Sequence, residues 1–187
     1  MRNIVLASQS PRRKQLLQEA GYDFTIIVAD VDETNPPGMP GEEVPEHLAK
    51  KKATAIQHMA TDTIVIAADT VVLLDHHILG KPTDAAHAKA MLQQLSGRVH
   101  YVVTGVCIQD ATKQVSFSVT TEVYFRPLTT EQINYYVDKY QPFDKAGSYA
   151  IQEWIGMVGI EKINGDYYNV MGLPISEVVK VLNAQFQ

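Results

Sequence analysis

The chain has 187 residues, of which 45% are hydrophobic, and its formal net charge is −5. These values are typical of a folded domain with an apolar core, and we expect one domain over residues 1–187. The acidic balance, without a long block of one charge sign, argues against binding to nucleic acid or to an anionic membrane. The single cysteine, Cys107, excludes an intrachain disulfide, and with no long apolar stretch and no signal pattern we expect a cytoplasmic protein.

Strand and helix patterns alternate along the chain, which predicts a mixed α/β sheet. The predicted strands cover residues 4–7, 24–28, 62–74, 99–109 and 114–124. The predicted helices cover residues 11–20 and 45–59, a segment after Thr83, a short segment after Thr129, and residues 174–182. Residues 34–41, with three prolines and two glycines, predict a flexible loop, and Asn164-Gly165 predicts a hairpin turn.

Capping residues and apolar spacing predict the ends and buried faces of the helices. Ser10 is the expected N-cap of the first helix and Gly21 marks its end, while Thr83 and Thr129 are expected to cap two later helices. The side chains expected to face the core are Leu16, Leu17 and Ala20, then Ala88, Met91, Leu92 and Leu95, and finally Tyr135, Tyr136 and Val137.

The first predicted helix begins with three consecutive basic residues, Arg12, Arg13 and Lys14. The start of a helix is already positive, because its dipole and its free backbone N–H groups point outward there. Cations at this position are unfavourable unless an anion binds beside them. Since a phosphate group suits both the N–H groups and the arginine side chains, we predict a phosphate site.

Two charged residues fall within otherwise apolar patterns. Lys52 lies on the buried face of its predicted helix, since a helix has about 3.6 residues per turn, and a buried ammonium needs an anionic partner. Asp69 interrupts the apolar run 64–74 and needs a cation, hydrogen bonds or a catalytic role. Each has an ordinary alternative: Lys52 as a lysine whose stem crosses the edge of the core, and Asp69 as part of a β-bulge or turn.

Glu33 is a third candidate, because it ends the acidic segment 30–33 just before the proline-rich loop. Phosphate-ester hydrolysis commonly uses a divalent ion held by carboxylate and phosphate oxygens. The ordinary alternative for Glu33 is a solvated surface position. The sequence contains neither a P-loop nor a Gly-x-Gly-x-x-Gly motif, which argues against the usual nucleoside triphosphatase and dehydrogenase designs.

Seven short motifs stand in order along the chain. They are Ser8-Gln9-Ser10-Pro11-Arg12-Arg13, Asp32-Glu33, Lys52-Ala53, Ala68-Asp69-Thr70-Val71-Val72, Gly80-Lys81-Pro82, the segment 144–152, and Gly172-Leu173-Pro174. Together they resemble the Maf family of nucleoside triphosphate pyrophosphatases over nearly the whole chain. The resemblance implies a mixed twisted α/β sheet flanked by helices, with two lobes and a central cleft as in the inosine triphosphate pyrophosphatases, and a homodimer.

The resemblance also implies roles for individual residues. Asp69 matches the position of the family's proton acceptor, and Glu33 together with Asp69 is expected to hold a divalent cation, Mg²⁺ or Mn²⁺. The positions that match substrate-binding residues of the family are Ser8, Arg12, Arg13, Lys52, Thr70, Lys81 and Gln152.

The segment 144–152 is similar to the branch of the family that acts on dTTP and UTP, and Gln152 stands where the 7-methyl-GTP branch has a glutamate. We therefore expect metal-dependent hydrolysis of dTTP and UTP to nucleoside monophosphate and pyrophosphate. Two alternatives stay open: a 7-methyl-GTP pyrophosphatase, and a nucleotide-binding division regulator with little turnover. A nucleic-acid-binding module is a further alternative, which the acidic balance disfavours.

Overall fold

A computed structural model describes residues 2–28, 30–57 and 62–186, and these contain a seven-stranded sheet. The strands are β1 Asn3–Leu6, β2 Thr25–Ile26, β3 Thr63–Leu74, β4 His77–Leu79, β5 Val99–Gln109, β6 Gln114–Phe125 and β7 Ile160–Asn164. Their order is β2-β1-β3-β5-β6-β7, and β4 also pairs with β3. Strand β1 runs parallel to β2 and β3, whereas the other pairs are antiparallel, which confirms the predicted mixed α/β sheet.

Helices cover both faces of the sheet. They are α1 Pro11–Glu19, α2 Val44–Gln57, α3 Ala85–Leu95, α4 Thr130–Tyr140, α5 Trp154–Gly159, α6 Tyr167–Met171 and α7 Ile175–Gln185. Within the described ranges, no helix has the length and apolar character needed to cross a bilayer.

The long strand β3 belongs to two halves of the molecule. On one face, residues of its first half pack against α1 and α7, while residues of its second half pack against α3 and α4. On the opposite face, α2 packs along the strand. Asp69 and Thr70 lie at the midpoint and are only partly buried, although the residues on either side of them are buried. The two apolar cores along β3 are therefore separated by a short polar stretch, Asp69 and Thr70, in the middle of the strand.

Several predicted features of the first third of the chain need correction. Strand β2 has only two residues, both exposed, because it forms the edge of the sheet and pairs with β1 alone. Ala20 is exposed rather than buried, since α1 ends one residue before it, and Gly21 follows with a φ of +87°. Helix α2 is described as far as Gln57, and its predicted end at Met59 lies outside the described residues, so that prediction is not tested.

Three later predictions are also wrong. Asp84, not Thr83, caps α3, because its backbone is extended and its carboxylate accepts the N–H of His87 at 2.8 Å. Tyr135 is 44% exposed and packs edge-on against Trp154, outside the core. The segment Asn164-Gly165 does not form a hairpin turn; it connects β7, a strand that the sequence did not predict and that pairs with β6, to α6.

Candidate active site

A cleft of about 1270 Å³ opens between the two halves of the molecule. Its lining comes from the start of α1, the middle of β3, α2, and the segment before α5. All the predicted site residues line this one cleft: Ser8, Arg12, Arg13, Glu33, Lys52, Asp69, Thr70, Lys81 and Gln152. The convergence expected from distant motifs is therefore present, and the roles of the individual residues stay predictions.

Lys52 joins two carboxylates in the cleft. Its Nζ donates to Asp69 Oδ1 at 2.7 Å and contacts Glu33 Oε1 at 2.8 Å. The neighbouring lysines point elsewhere: Lys50 pairs with Glu46, and Lys51 donates to the carbonyl of Asp32. Helical periodicity thus selected the one lysine of the three that faces the partly buried aspartate.

The hydrogen bond from Lys52 lowers the pKa of Glu33. Partial burial opposes this effect, while the nearby charges of Lys52, Lys81 and Arg13 add to it. A carboxyl group in this environment is ionised at neutral pH. Glu33 therefore contributes a negative charge to the cleft even though its side chain is 61% exposed.

Arg13 is a partly buried cation whose hydrogen bonds go mainly to the protein. It donates to Gly172 O at 2.7 Å, Ala68 O at 2.9 Å, Thr70 Oγ1 at 2.9 Å and Ser8 Oγ at 3.2 Å. Burial lowers its pKa to about 10, which leaves the side chain charged at neutral pH. Since a guanidinium has five N–H donors, one remains for a phosphate oxygen. Arg13 holds both neighbours of Asp69 in place as well as adding positive charge.

The start of α1 has the predicted N-cap. Ser10 Oγ accepts the N–H of Arg13 at 3.4 Å, and Pro11 occupies the first turn. The side chain of Arg12 extends in another direction from that of Arg13, because its Nε donates to Met171 O at 3.3 Å. The two arginines thus reach different parts of one cleft.

Acidic and basic side chains balance within the described lining of the cleft. Five are basic, namely Arg12, Arg13, Lys52, Lys81 and Lys145, and five are acidic, namely Asp30, Asp32, Glu33, Asp69 and Asp144. A ligand with several negative charges would therefore meet carboxylates as well as cations. Such a ligand is accommodated better if it brings a cation of its own.

The cleft fits one divalent ion in part. Asp69 and Glu33 contact the same ammonium nitrogen, so the two carboxylates lie close enough to share a cation. Within the described part of the chain, no group of three or more His, Cys, Asp or Glu residues is arranged for a metal. Mg²⁺ commonly takes one or two protein carboxylates and completes its shell with phosphate oxygens and water. The pair is thus suited to an ion that arrives with a phosphate ligand.

Sequence reasoning did not assign a role to several polar residues around the cleft. Glu153 accepts a hydrogen bond from Tyr136 and lies 3.6 Å from Lys145. Thr104 and Asn169 are fully buried beside Thr70, and Thr104 Oγ1 lies 2.9 Å from Thr70 Oγ1. The adjacent opposite charges of Asp144 and Lys145, the lysine near Glu153, are visible in the sequence. By contrast, no periodicity distinguishes a buried Thr or Asn, such as Thr104 or Asn169, from one on the surface.

One wall of the cleft rests on a buried histidine. His100 of β5 is fully buried, and its Nε2 lies 2.6 Å from the hydroxyl of Tyr149, a cleft residue. Phe125 packs edge-on against both rings. Burial lowers the pKa of His100 to about 3, so the imidazole is neutral at physiological pH.

This histidine should make the protein sensitive to acid. The unfolded chain binds a proton at His100 near pH 6.5, whereas the folded chain does not until about pH 3. Stability is therefore lost as the pH falls below 6.5, by about 1.4 kcal/mol per pH unit. We expect the decrease in unfolding free energy between pH 7 and pH 5 to be about 2 kcal/mol smaller in His100→Gln, measured by urea unfolding. Equal decreases in unfolding free energy in the two proteins would show that His100 is not a source of the sensitivity to acid.

Comparisons with known proteins agree with these observations. The model of the family described as Maf-like protein matches residues 3–185. A Cytophaga hutchinsonii protein named dTTP/UTP pyrophosphatase is 50% identical over 184 residues, covering 98% of this chain and 84% of its own. A Parabacteroides distasonis protein of the same name is 49% identical over 181 residues, covering 96% and 94%.

Among solved structures, a HAM1 protein from Coxiella burnetii has a TM-score of 0.53 at 16% identity and covers 98% of this chain and 99% of its own. At this identity the likeness concerns the fold alone, and it agrees with the two-lobed mixed α/β architecture. The family model and the relatives at about half identity extend over nearly the whole chain, and we conclude that the chain belongs to the Maf family.

Proposed function

We propose that this protein hydrolyses the nucleoside triphosphates dTTP and UTP to nucleoside monophosphate and pyrophosphate. The observation that supports this most directly is the Asp69–Lys52–Glu33 arrangement, a carboxylate pair joined by an ammonium within a cleft that also contains two arginines. The relatives named dTTP/UTP pyrophosphatase support the choice of substrates.

The basic side chains of the cleft would bind the triphosphate. Lys52 and Lys81 would neutralise phosphate oxygens, and Arg13 would add its one remaining N–H. In phosphoryl transfer most of the catalytic effect comes from positioning and electrostatic stabilisation. Ser8 and Thr70 are held by Arg13 at the same end of the cleft and would complete the contacts.

Asp69 would act on the attacking water. Its Oδ1 accepts the hydrogen bond from Lys52, and we assign its Oδ2 to the water. The water oxygen bonds to the α-phosphorus, its proton goes to Asp69, and the bond from the α-phosphorus to the bridging oxygen breaks. The electron pair of that bond leaves with pyrophosphate. Lys52 keeps the carboxylate oriented during this step.

A divalent ion, Mg²⁺ or Mn²⁺, would be held by Glu33 and Asp69 together with phosphate oxygens, and when bound it would supply charge neutralisation at the phosphates. Direct coordination lowers the basicity of a carboxylate, so Glu33 is suited to contribute more to ion binding and Asp69 more to proton transfer.

A nucleotide panel tests the proposal. The protein is incubated with dTTP, UTP, CTP, ATP, GTP and 7-methyl-GTP, with Mg²⁺, with Mn²⁺ and with a chelator, and products are separated by anion exchange. We expect monophosphate and pyrophosphate from dTTP and UTP, and none with the chelator. Diphosphate with orthophosphate, turnover of 7-methyl-GTP alone, or nucleotide binding without turnover would each overturn it.

Lys52→Met should weaken the use of triphosphate. Without the ammonium, two carboxylates face the phosphates directly, so we expect KM for dTTP to rise about 10-fold or more, the effect of losing one charge-assisted contact. Lys50→Met is the matched control, because Lys50 lies on the same helix and pairs with Glu46 outside the cleft. Steady-state kinetics of both variants test this prediction. An unchanged KM in Lys52→Met would show that Lys52 does not contribute to triphosphate binding.

A further inference from the structure

A second group of charges in the cleft has a different arrangement from that around Lys52. Asp144 lies between two cations: Lys145 Nζ is 2.8 Å from its Oδ1, and Arg12 Nη1 is 3.6 Å from its Oδ2. All three residues line the cleft. Arg12 belongs to α1 and the other two precede α5, so the group joins the two halves of the molecule.

Both cations are anchored from behind. Lys145 is 11% exposed at its side chain and also lies 3.6 Å from Glu153, which in turn accepts a hydrogen bond from Tyr136. Arg12 donates its Nε to the carbonyl of Met171. Such anchoring fixes the direction of the N–H donors that remain, which favours selective recognition over general attraction.

The carboxylate between them is accessible and ionised. The side chain of Asp144 is 59% exposed. Partial burial raises the pKa of Asp144, but the hydrogen bond from Lys145 and the charges of Lys145 and Arg12 outweigh this effect, so its pKa lies below the usual value. Each carboxylate oxygen has two acceptor positions, so Asp144 retains capacity for a ligand N–H.

The order of these groups is donor, acceptor, donor. Uracil and thymine present the complementary order along one edge, a carbonyl, the N3–H and a second carbonyl. We propose that Arg12, Asp144 and Lys145 form a base-reading face that recognises this imide edge, an inference that rests on the proposed function. The N3–H would donate to Asp144, and the two carbonyls would accept from Arg12 and Lys145.

The base-reading face explains why one site would accept both dTTP and UTP. The methyl group of thymine and the 2′-hydroxyl of the ribose both lie away from the imide edge, so dTTP and UTP present the same pattern. Cytosine does not, because its N3 is an acceptor and would face the carboxylate of Asp144, and its amino group would face a cation. Two unmatched polar groups of this kind should make CTP a much poorer substrate than UTP.

The test compares UTP with 3-methyl-UTP, in which a methyl group replaces the N3–H. In the unmodified protein we expect kcat/KM for UTP to exceed that for 3-methyl-UTP by about 10- to 100-fold, the effect of one hydrogen bond to a charged group. In Asp144→Ala this ratio should fall to near one, mainly through loss on UTP. Asp144→Asn removes the charge but keeps the shape of the side chain. Its amide can donate to the N3 of cytosine, so the ratio of kcat/KM for UTP to that for CTP should also fall.

The matched control is Asp138→Ala, which removes an exposed aspartate that pairs with Lys89 outside the cleft and should keep the full ratio. An unchanged ratio in Asp144→Ala, or an equal loss on both nucleotides, would overturn the base-reading face and leave the proposed function standing. Absence of any UTP or dTTP hydrolysis by the unmodified protein would overturn both. Circular dichroism establishes that each variant is folded. Should Asp144→Ala not fold, the UTP to CTP ratio of Asp144→Asn carries the test, and an unchanged UTP to CTP ratio in that variant would overturn the base-reading face.

Discussion

Asp69→Asn should lower kcat for dTTP by about 10²- to 10⁴-fold, the usual contribution of a positioned general base. The amide has nearly the shape of the carboxylate but cannot take a proton from water. Lys52 keeps Glu33 as a partner in the variant, so its ammonium is not left without a counter-charge. We therefore expect the loss of unfolding free energy to stay below about 2 kcal/mol.

Two measurements check this expectation: steady-state kinetics with dTTP and urea unfolding monitored by circular dichroism. Asp75→Asn is the matched control, because Asp75 lies in the turn after β3, pairs with Arg98 and does not line the cleft. Turnover in Asp69→Asn equal to that of the control would remove Asp69 from the chemistry. A loss of turnover accompanied by unfolding would make its role structural.

Arg13→Met should reduce both stability and activity. The change leaves the carbonyls of Ala68 and Gly172 without the hydrogen bonds that they accept at 2.9 and 2.7 Å. Hydrogen bonds to charged groups contribute about 1.5–3 kcal/mol each, and Gly172 O keeps only a long one from Thr70 Oγ1 at 3.4 Å, so we expect a loss of about 3 kcal/mol and a fall in Tm of roughly 6–12 °C. Since Asp69 lies between two residues that Arg13 holds, its displacement should lower kcat by about 100-fold.

Lys14→Met is the appropriate comparison for Arg13→Met, because Lys14 is the next residue of α1 and is exposed. Its Tm and kcat should match those of the unmodified protein. Thermal unfolding and kinetics on both variants separate the two effects of Arg13. Loss of stability with unchanged kcat would show that Arg13 does not position Asp69, and an unchanged Tm would contradict its role in holding Gly172 against strand β3.

Local features of the fold were predictable because they depend on neighbours in the chain. Ser10 caps α1, and Thr129 and Gln132 form a capping box, since each of these features involves residues a few positions apart. Strands β5 and β6 follow each other in the chain and pair across the short segment between them. Strand β7 was missed because its five residues are partly or fully exposed and lack a clear alternation. Its pairing with β6 depends on the whole sheet.

The sequence by itself determined which residue types were available to the cleft and where the helices and strands carry them. Charges placed against an apolar pattern, such as Lys52 and Asp69, were sufficient to identify candidates, because burying an unpaired charge is unfavourable. Only the tertiary structure decided their partners. Arg13 meets Gly172 across 159 positions of sequence, and no local spacing encodes a contact that depends on how two packed cores meet.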